Sequence, residues 1–413
     1  VTEQFGSYTL LDRIGIGGMA EVFLARRVGV EGFEKDIVIK RIRPHLSVEP
    51  SFISMFLGEA KLAAQLNHAN IVQIFDLGKI NESYFIAMEY VAGRDLSAVI
   101  PKAKATGIPF PVEYALKVVS NVCEALHYAH NRADAMGNPL HIVHRDVSPE
   151  NVRVAWTGSV KILDFGIAKA ATQLHETKAG EIKGKLCYMS PEQVMGKEVD
   201  HRSDIFSTGV LLYECLTGLK LFSGDSDLAI MNNVIEGKIY PPSYFRDDVP
   251  EEVEAIIMRA LEKERKKRYA NANDMQFEID TFLSRHEFTP SSVHLSNFIK
   301  QLFKDELEAE QEQRKLRETP ARGTPNSRGA ARGTPAGKGG GKSPGPPPPP
   351  PPGESQVYVV PAEALQVDTS GEAVHVTLEH DVRGKLLRLA EARGLAAEAL
   401  VRDIVTQFLK YHD

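Results

Sequence analysis

Three residues that can handle a phosphoryl group lie close together, Asp146 and Asn151 in His144-Arg145-Asp146-Val147-Ser148-Pro149-Glu150-Asn151 and Asp164 in Asp164-Phe165-Gly166. Asp146 can orient an acceptor hydroxyl and accept its proton. Asn151 and Asp164 supply oxygen ligands suited to Mg2+. Upstream, Lys40 ends the strand-like run Asp36-Ile37-Val38-Ile39-Lys40, where a cation could sit on α- and β-phosphates. Glu59 follows at a suitable distance in the helical run Phe52 to Leu66 and would hold Lys40 in an ion pair. Ile14-Gly15-Ile16-Gly17-Gly18-Met19-Ala20-Glu21-Val22 lies between two strand-like segments, Tyr8 to Arg13 and Val22 to Arg27. Its small residues let backbone amides close over phosphates, and Val22 can cap an adenine.

Carrying these motifs together, the segment from about Tyr8 to Arg285 resembles a Hanks-type protein kinase, particularly of the bacterial serine/threonine branch. The resemblance implies an α+β bilobal fold, with a β-rich N-lobe and an α-rich C-lobe. It implies ATP and Mg2+ as cofactors, protein substrates and phosphoryl transfer to Ser or Thr hydroxyls. Ile14, Gly15, Gly17, Gly18, Val22, Val38 and Lys40 would then surround the nucleotide. Met88-Glu89-Tyr90-Val91 would be gatekeeper and hinge, with the backbone of Glu89 and Val91 bonding adenine. Asp95 stands where the family often binds ribose. Glu192 of Ser190-Pro191-Glu192 should pair with Arg268, and Asp204 should anchor the catalytic loop from a buried helix. His127, His130 and His141 read as structural.

The pattern is broken at several positions. Ala20 replaces the third loop glycine. Ser148 stands where the family usually places a Lys near the transferring phosphate. Lys185 stands where it usually has a Thr bonded to the catalytic Asp. These two departures are reciprocal. One reading is a swap, in which Lys185 reaches the Asp146 region and Ser148 takes the hydroxyl's role. The other is a solvent-facing Lys185 on a slow or inactive kinase-fold scaffold. Arg153 replaces the apolar residue usually found under adenine, and its stem could lie there while its head snorkels outward. Arg145 implies a cationic pocket for an activation-loop charge, to which Lys169 could contribute. Glu181 falls at the usual phosphothreonine position, as a charge mimic or as a plain exposed residue. Thr172 and Thr177 are candidate autophosphorylation sites.

These residues need a sizeable scaffold, and the chain has 413 residues, 43% of them hydrophobic. Its formal net charge of -6 gives no reason to expect a chain-wide nucleic-acid or membrane surface. Cys123, Cys187 and Cys215 are far apart and read as reduced thiols. No apolar run approaches a membrane span and no signal-peptide h-region opens the sequence, so a cytoplasmic location is expected. The kinase-like domain is expected over 8–286. Residues 287–318 follow as one amphipathic helical extension with Phe298, Ile299, Leu302, Phe303 and Leu307 at helical spacing, packing on that domain. Residues 319–355, with the proline run Pro346 to Pro352, read as a basic, disordered linker.

A last module is expected over 372–411. A strand, Ala373 to Glu379, precedes two short amphipathic helices around Leu386 and Ile404, a set too small to bury a core alone. It resembles the ribbon-helix-helix family, which implies an intertwined dimer. By that resemblance His375 and Thr377 would face bases, with Arg383 or Lys385 near the DNA backbone. The module is close to charge-neutral, whereas DNA affinity leans on Lys and Arg. DNA binding, dimerisation alone and docking to another protein of the same type all stay open.

Overall fold

The computed structural model describes residues 3–29, 32–47, 49–107, 110–165, 183–285, 288–318, 367–368 and 375–376; the side chains at 59, 183, 184, 311, 313–318, 367, 368, 375 and 376 are outside that description. The chain divides into two units, Val1–Gly323 and Thr324–Asp413.

The first unit opens with an antiparallel sheet in the order β1-β2-β3-β4-β6-β5. Its strands are β1 (Glu3–Phe5), β2 (Tyr8–Ile16), β3 (Ala20–Val28), β4 (Glu34–Ile42), β5 (Ile74–Ile80) and β6 (Ser83–Glu89). β4 is central, and its β-branched run Ile37-Val38-Ile39 is buried, as a two-sided strand requires. β2 and β3 run longer than expected because Gly15 pairs with Val22 and Ile16 with Glu21. The turn is therefore confined to Gly17-Gly18-Met19, closed by Gly17 N–H donating to Ala20 O at 2.9 Å. One helix, α1 (Pro50–Ala63), packs beside this sheet and carries position 59.

The rest of the unit is mostly helical. α2 (Leu96–Ala105), α3 (Val112–His130), α4 (Lys183–Leu186), α5 (Pro191–Val194), α6 (Arg202–Thr217), α7 (Asp227–Glu236), α8 (Glu251–Ala260) and α9 (Ala272–Arg285) surround one large apolar core. A small sheet is formed by β7 (Gly93–Asp95), β8 (Val152–Ala155) and β9 (Val160–Ile162), and Ile162 of β9 bridges to Ile71, just before β5. α6 is buried along nearly its whole length, which explains its lack of an amphipathic stripe. It stops at Gly218, whose φ of 65° is left-handed.

The extension is two helices rather than one. α10 (Ser292–Leu302) begins with a capping box between Ser291 and His294, and α11 (Lys304–Glu318) follows. The break is at Phe303, with φ −115° and ψ 34°. Phe303 is buried with Leu295, Ile299 and Leu302 in the helical core. Each such side chain contributes about 1.5–3 kcal/mol of apolar burial, enough to offset one interrupted helical turn. Gly158 (φ 80°) permits the close approach of α10, since a Cβ there would stand 1.8 Å from Ser292 O.

In the second unit, Val367–Asp368 pairs antiparallel with His375–Val376. The strand expected over 373–379 is thus described only at two residues, and its partner there is this chain's own segment. Thr377, Arg383, Lys385 and the two expected helices lie outside the described residues, as does the linker 319–355. Among the described residues no helix is long and apolar enough to cross a membrane.

Candidate active site

The catalytic loop is suspended from α6. Asp204, fully buried, accepts the backbone N–H groups of His144 and Arg145, each at 2.8 Å, and the His130 ring at 2.7 Å. Burial works to raise the Asp204 carboxyl, but the bond and charge of His130 outweigh it, and its pKa is lowered. Arg145 takes a left-handed φ of 65°, and Gln193 Nε2 donates to its carbonyl at 3.0 Å. From the other side Glu192 and Arg268 form a buried two-point pair at 2.7 and 2.9 Å.

Asp146 is fixed by this loop and held again by its neighbours. Asn151 Nδ2 donates to both Asp146 O and Asp146 Oδ2 at 2.7 Å. Lys185, on α4, donates from Nζ to the same Oδ2 at 3.1 Å and lies 3.8 Å from Glu150 Oε2. The proposed exchange with Ser148 is only half present. The Ser148 hydroxyl is buried and has no hydrogen-bond partner among the described residues. It therefore does not take over the bond to Asp146, which Asn151 and Lys185 make instead.

Lys40, on β4, pairs with Asp164 at 2.9 Å. Asp164 is crowded by protein, yet 41% of its side-chain surface stays open to solvent. Crowding pushes its carboxyl up, but the charge and hydrogen bond of Lys40 win, so the pKa falls below the ordinary 3.8. The charge of Asp146 also works to raise that pKa and the charge of Lys185 to lower it. Asp164 has a strained φ of 34°, and the next residue, Phe165, packs its buried ring 4.6 Å from His144. Glu59 belongs to α1, but its side chain lies outside the described residues.

Between β4 and β6, Val38 pairs with Met88. Val91 clusters with Val72, Ala155, Met88 and Leu163. Ile14 and Ile16 are exposed in β2 and Val22 is half-buried in β3, on either side of the turn bearing Gly17 and Gly18. Glu89 N–H is already bonded to Gln73 O at 2.8 Å. Its carboxylate is held by Lys161 at 2.9 Å.

Arg153 does not turn outward. Its Nε donates to Val91 O at 2.8 Å, its Nη2 to Gly93 O at 2.7 Å, and its Nη1 lies 3.7 Å from Asp95 Oδ2. The cause is register: Arg153 on β8 pairs directly with Asp95 on β7. Burial pushes the guanidinium below its ordinary value, and Asp95 opposes that shift. Asp95 also caps α2 by accepting from Ala98 N–H at 3.2 Å.

Arg145 Nε has no hydrogen-bond partner among the described residues. Lys169, Thr172, Thr177 and Glu181 fall outside them. Lys161 and Gln193 were not singled out from sequence; both act through distant backbone or side-chain partners, and neither carries a motif.

The chain is similar to known proteins. The chain is 45% identical over 306 residues to the tyrosine-protein kinase MasK of Myxococcus xanthus, covering 74% of this chain and 47% of that protein. It is 36% identical over 276 residues to the serine/threonine-protein kinase PrkC of Bacillus subtilis, covering 67% and 40%. It thus spans less than half the length of these relatives. Among solved structures, the kinase domain of PknI from Mycobacterium tuberculosis matches with a TM-score of 0.51 at 25% identity, covering 68% of this chain and 97% of that one. Residues 8–278 match the protein kinase domain family, and the chain belongs to that family.

Proposed function

We propose that this chain transfers the γ-phosphoryl group of ATP to serine and threonine hydroxyls of proteins. The observation that carries the reading is the convergence of Asn151 and Lys185 on Asp146, beside the Lys40–Asp164 pair. The acceptor oxygen would bond to the γ-phosphorus as the bond to the ADP oxygen breaks, and Asp146 would take the hydroxyl proton. Lys185, close to Asp146, would stabilise the charge on the transferring group in place of a lysine at 148. Lys40 would engage the α- and β-phosphates, with the Gly17-Gly18 turn over them.

The donor set suits Mg2+. Asp164 offers a carboxylate held ionised, and Asn151 commits its amide nitrogen to Asp146, which leaves an amide oxygen as donor. Mg2+ takes few protein ligands and fills its shell with phosphate and water; when bound there it would neutralise phosphate charge. Met88, the backbone of Glu89 and Val91, and Val38 would hold the base, with Asp95 at the ribose.

The test is to incubate the full chain and an Asp164→Asn variant with Mg-ATP and a generic protein substrate, then analyse phosphoamino acids. Phosphoserine or phosphothreonine in the wild type alone is expected. Silence from both would move the reading to a kinase-fold scaffold. A second reading, tyrosine as acceptor, is favoured by the similarity to MasK; phosphotyrosine in the same assay would establish it. Self-association through 372–411, with DNA as its alternative role, rests on sequence pattern alone. It predicts autophosphorylation that becomes concentration-dependent once residues after Glu318 are deleted.

A further inference from the structure

The strand that leaves the hinge, β7, is gripped from two sides. On one side stands Arg153, bonded to Val91 O and Gly93 O and close to Asp95. Gly93 is fitted against β8 so closely that a Cβ there would stand 2.1 Å from Val154 O. On the other side stands the helical extension. Arg94 pairs with Glu310 of α11, and its guanidinium lies 5.2 Å from the Trp156 ring and 5.5 Å from the Phe303 ring. Lys102 of α2, the helix that Asp95 caps, pairs with Glu306 at 2.7 Å.

Trp156 ties the two sides together. Its backbone N–H donates to Ala92 O, next to the hinge, at 2.8 Å. Its carbonyl accepts from Ser296 Oγ of α10 at 2.6 Å. Residues 91–95 are thus bonded at Val91, Ala92, Gly93, Arg94 and Asp95, to Arg153 of β8, to Trp156, to the start of α2 and to Glu310 of α11. A segment so held cannot shift without straining the contacts of the extension, because packed elements resist continuous deformation.

We propose that α10–α11 is a positioning clamp for the nucleotide site, with Glu306 and Glu310 setting nucleotide affinity through Lys102 and Arg94. The proposal rests on the reading of residues 88–95 as the base- and ribose-binding edge of an ATP site. None of the clamp residues on the extension lies in the catalytic loop, so their effect falls on binding rather than on the chemical step. By reciprocity, nucleotide binding also tightens the extension.

The molecule carries its own reporter, since Trp156 is the single tryptophan in the chain. ADP is titrated against the full-length protein while Trp156 emission is followed, and melting temperature is recorded without nucleotide. Three proteins are compared: the wild type, Glu306→Lys with Glu310→Lys, and that pair combined with Arg94→Glu and Lys102→Glu. Partly exposed ion pairs are worth up to about 1 kcal/mol each, so breaking two should weaken ADP binding about three- to tenfold. The reversed set should recover most of that loss, together with most of the few-degree drop in nucleotide-free melting temperature that breaking the pairs causes. Equal ADP affinity in all three proteins overturns the clamp. So does a loss of melting temperature that accounts for the weakened binding and is not rescued by reversal. A wild type that binds no ADP sinks the nucleotide-site reading itself, and the clamp with it.

Discussion

The two ends of the proposed nucleotide site depart from the family pattern in opposite ways. At the phosphate end a charge is displaced: the catalytic loop has Ser148, and Lys185 brings a cation to Asp146 from α4. At the base end a charge is added: Arg153 stands where an apolar floor is usual, and its donors are spent on backbone carbonyls of the hinge. Phosphoryl transfer needs positive charge at a point, whatever segment supplies it. Purine binding needs a shaped edge, and an arginine can serve there only once its own hydrogen bonds are satisfied. The phosphate end should therefore govern kcat, and the base end KM for ATP.

The largest effect expected is at Asp146. Asp146→Asn removes the proton acceptor and should lower kcat about 10^3-fold with ATP affinity retained, measured as peptide phosphorylation beside ADP titration. Retained turnover would remove Asp146 from the mechanism. Next comes Lys185→Ala, which deletes the displaced cation and should lower kcat about 10^2-fold while leaving KM for ATP within about twofold. Ser148→Lys combined with Lys185→Thr returns the cation to the catalytic loop and should regain part of the loss. An unimpaired Lys185→Ala enzyme would break the comparison at its phosphate end.

At the base end Arg153→Leu releases two hinge carbonyls and leaves Asp95 without its neighbouring cation. A net hydrogen bond is worth about 1 kcal/mol, so KM for ATP should rise about fivefold with kcat little changed. Steady-state kinetics at varied ATP separates the two constants. A fall in kcat with constant KM would show that Arg153 acts on the chemistry, and the two ends would no longer differ in kind.

Much of this was legible where chemistry demands both residue type and order. Asp146, Asn151 and Asp164 had to be read together; in the structure Asn151 and Lys185 bond to Asp146, and Lys40 pairs with Asp164. The Glu192–Arg268 pair and the anchoring of the loop by Asp204 were readable for the same reason: buried charges need specific partners. Direction was not legible. The sequence places Arg153 two residues beyond Asn151, but only the β7–β8 register turns its guanidinium to the hinge. Nor does the type of residue 148 reveal a hydroxyl buried without a partner. The extension reads as one helix because Phe298, Ile299, Leu302, Phe303 and Leu307 keep helical spacing. The break at Phe303 comes from the core that its ring enters, a tertiary demand that overrides local periodicity.

The smallest effect concerns pH, and it sharpens the comparison between the lowered carboxyl of Asp164 and the buried guanidinium of Arg153. Arg153 stays charged although burial lowers its pKa, since a guanidinium does not deprotonate in proteins. Asp164 is lowered below 3.8 when folded. A depressed carboxyl contributes stability above its unfolded value and loses it as pH falls through the folded one. The Lys40–Asp164 contribution is therefore complete throughout the neutral range and fades only in strong acid. The difference in melting temperature between wild type and Asp164→Asn should be flat from about pH 8 to about pH 5, then shrink towards zero below the ordinary carboxylate value. A difference that already shrinks between about pH 6 and 5 would mean that the carboxyl is raised rather than lowered. In that case crowding, not Lys40, would dominate at Asp164, and the phosphate end would be less firmly charged than the base end.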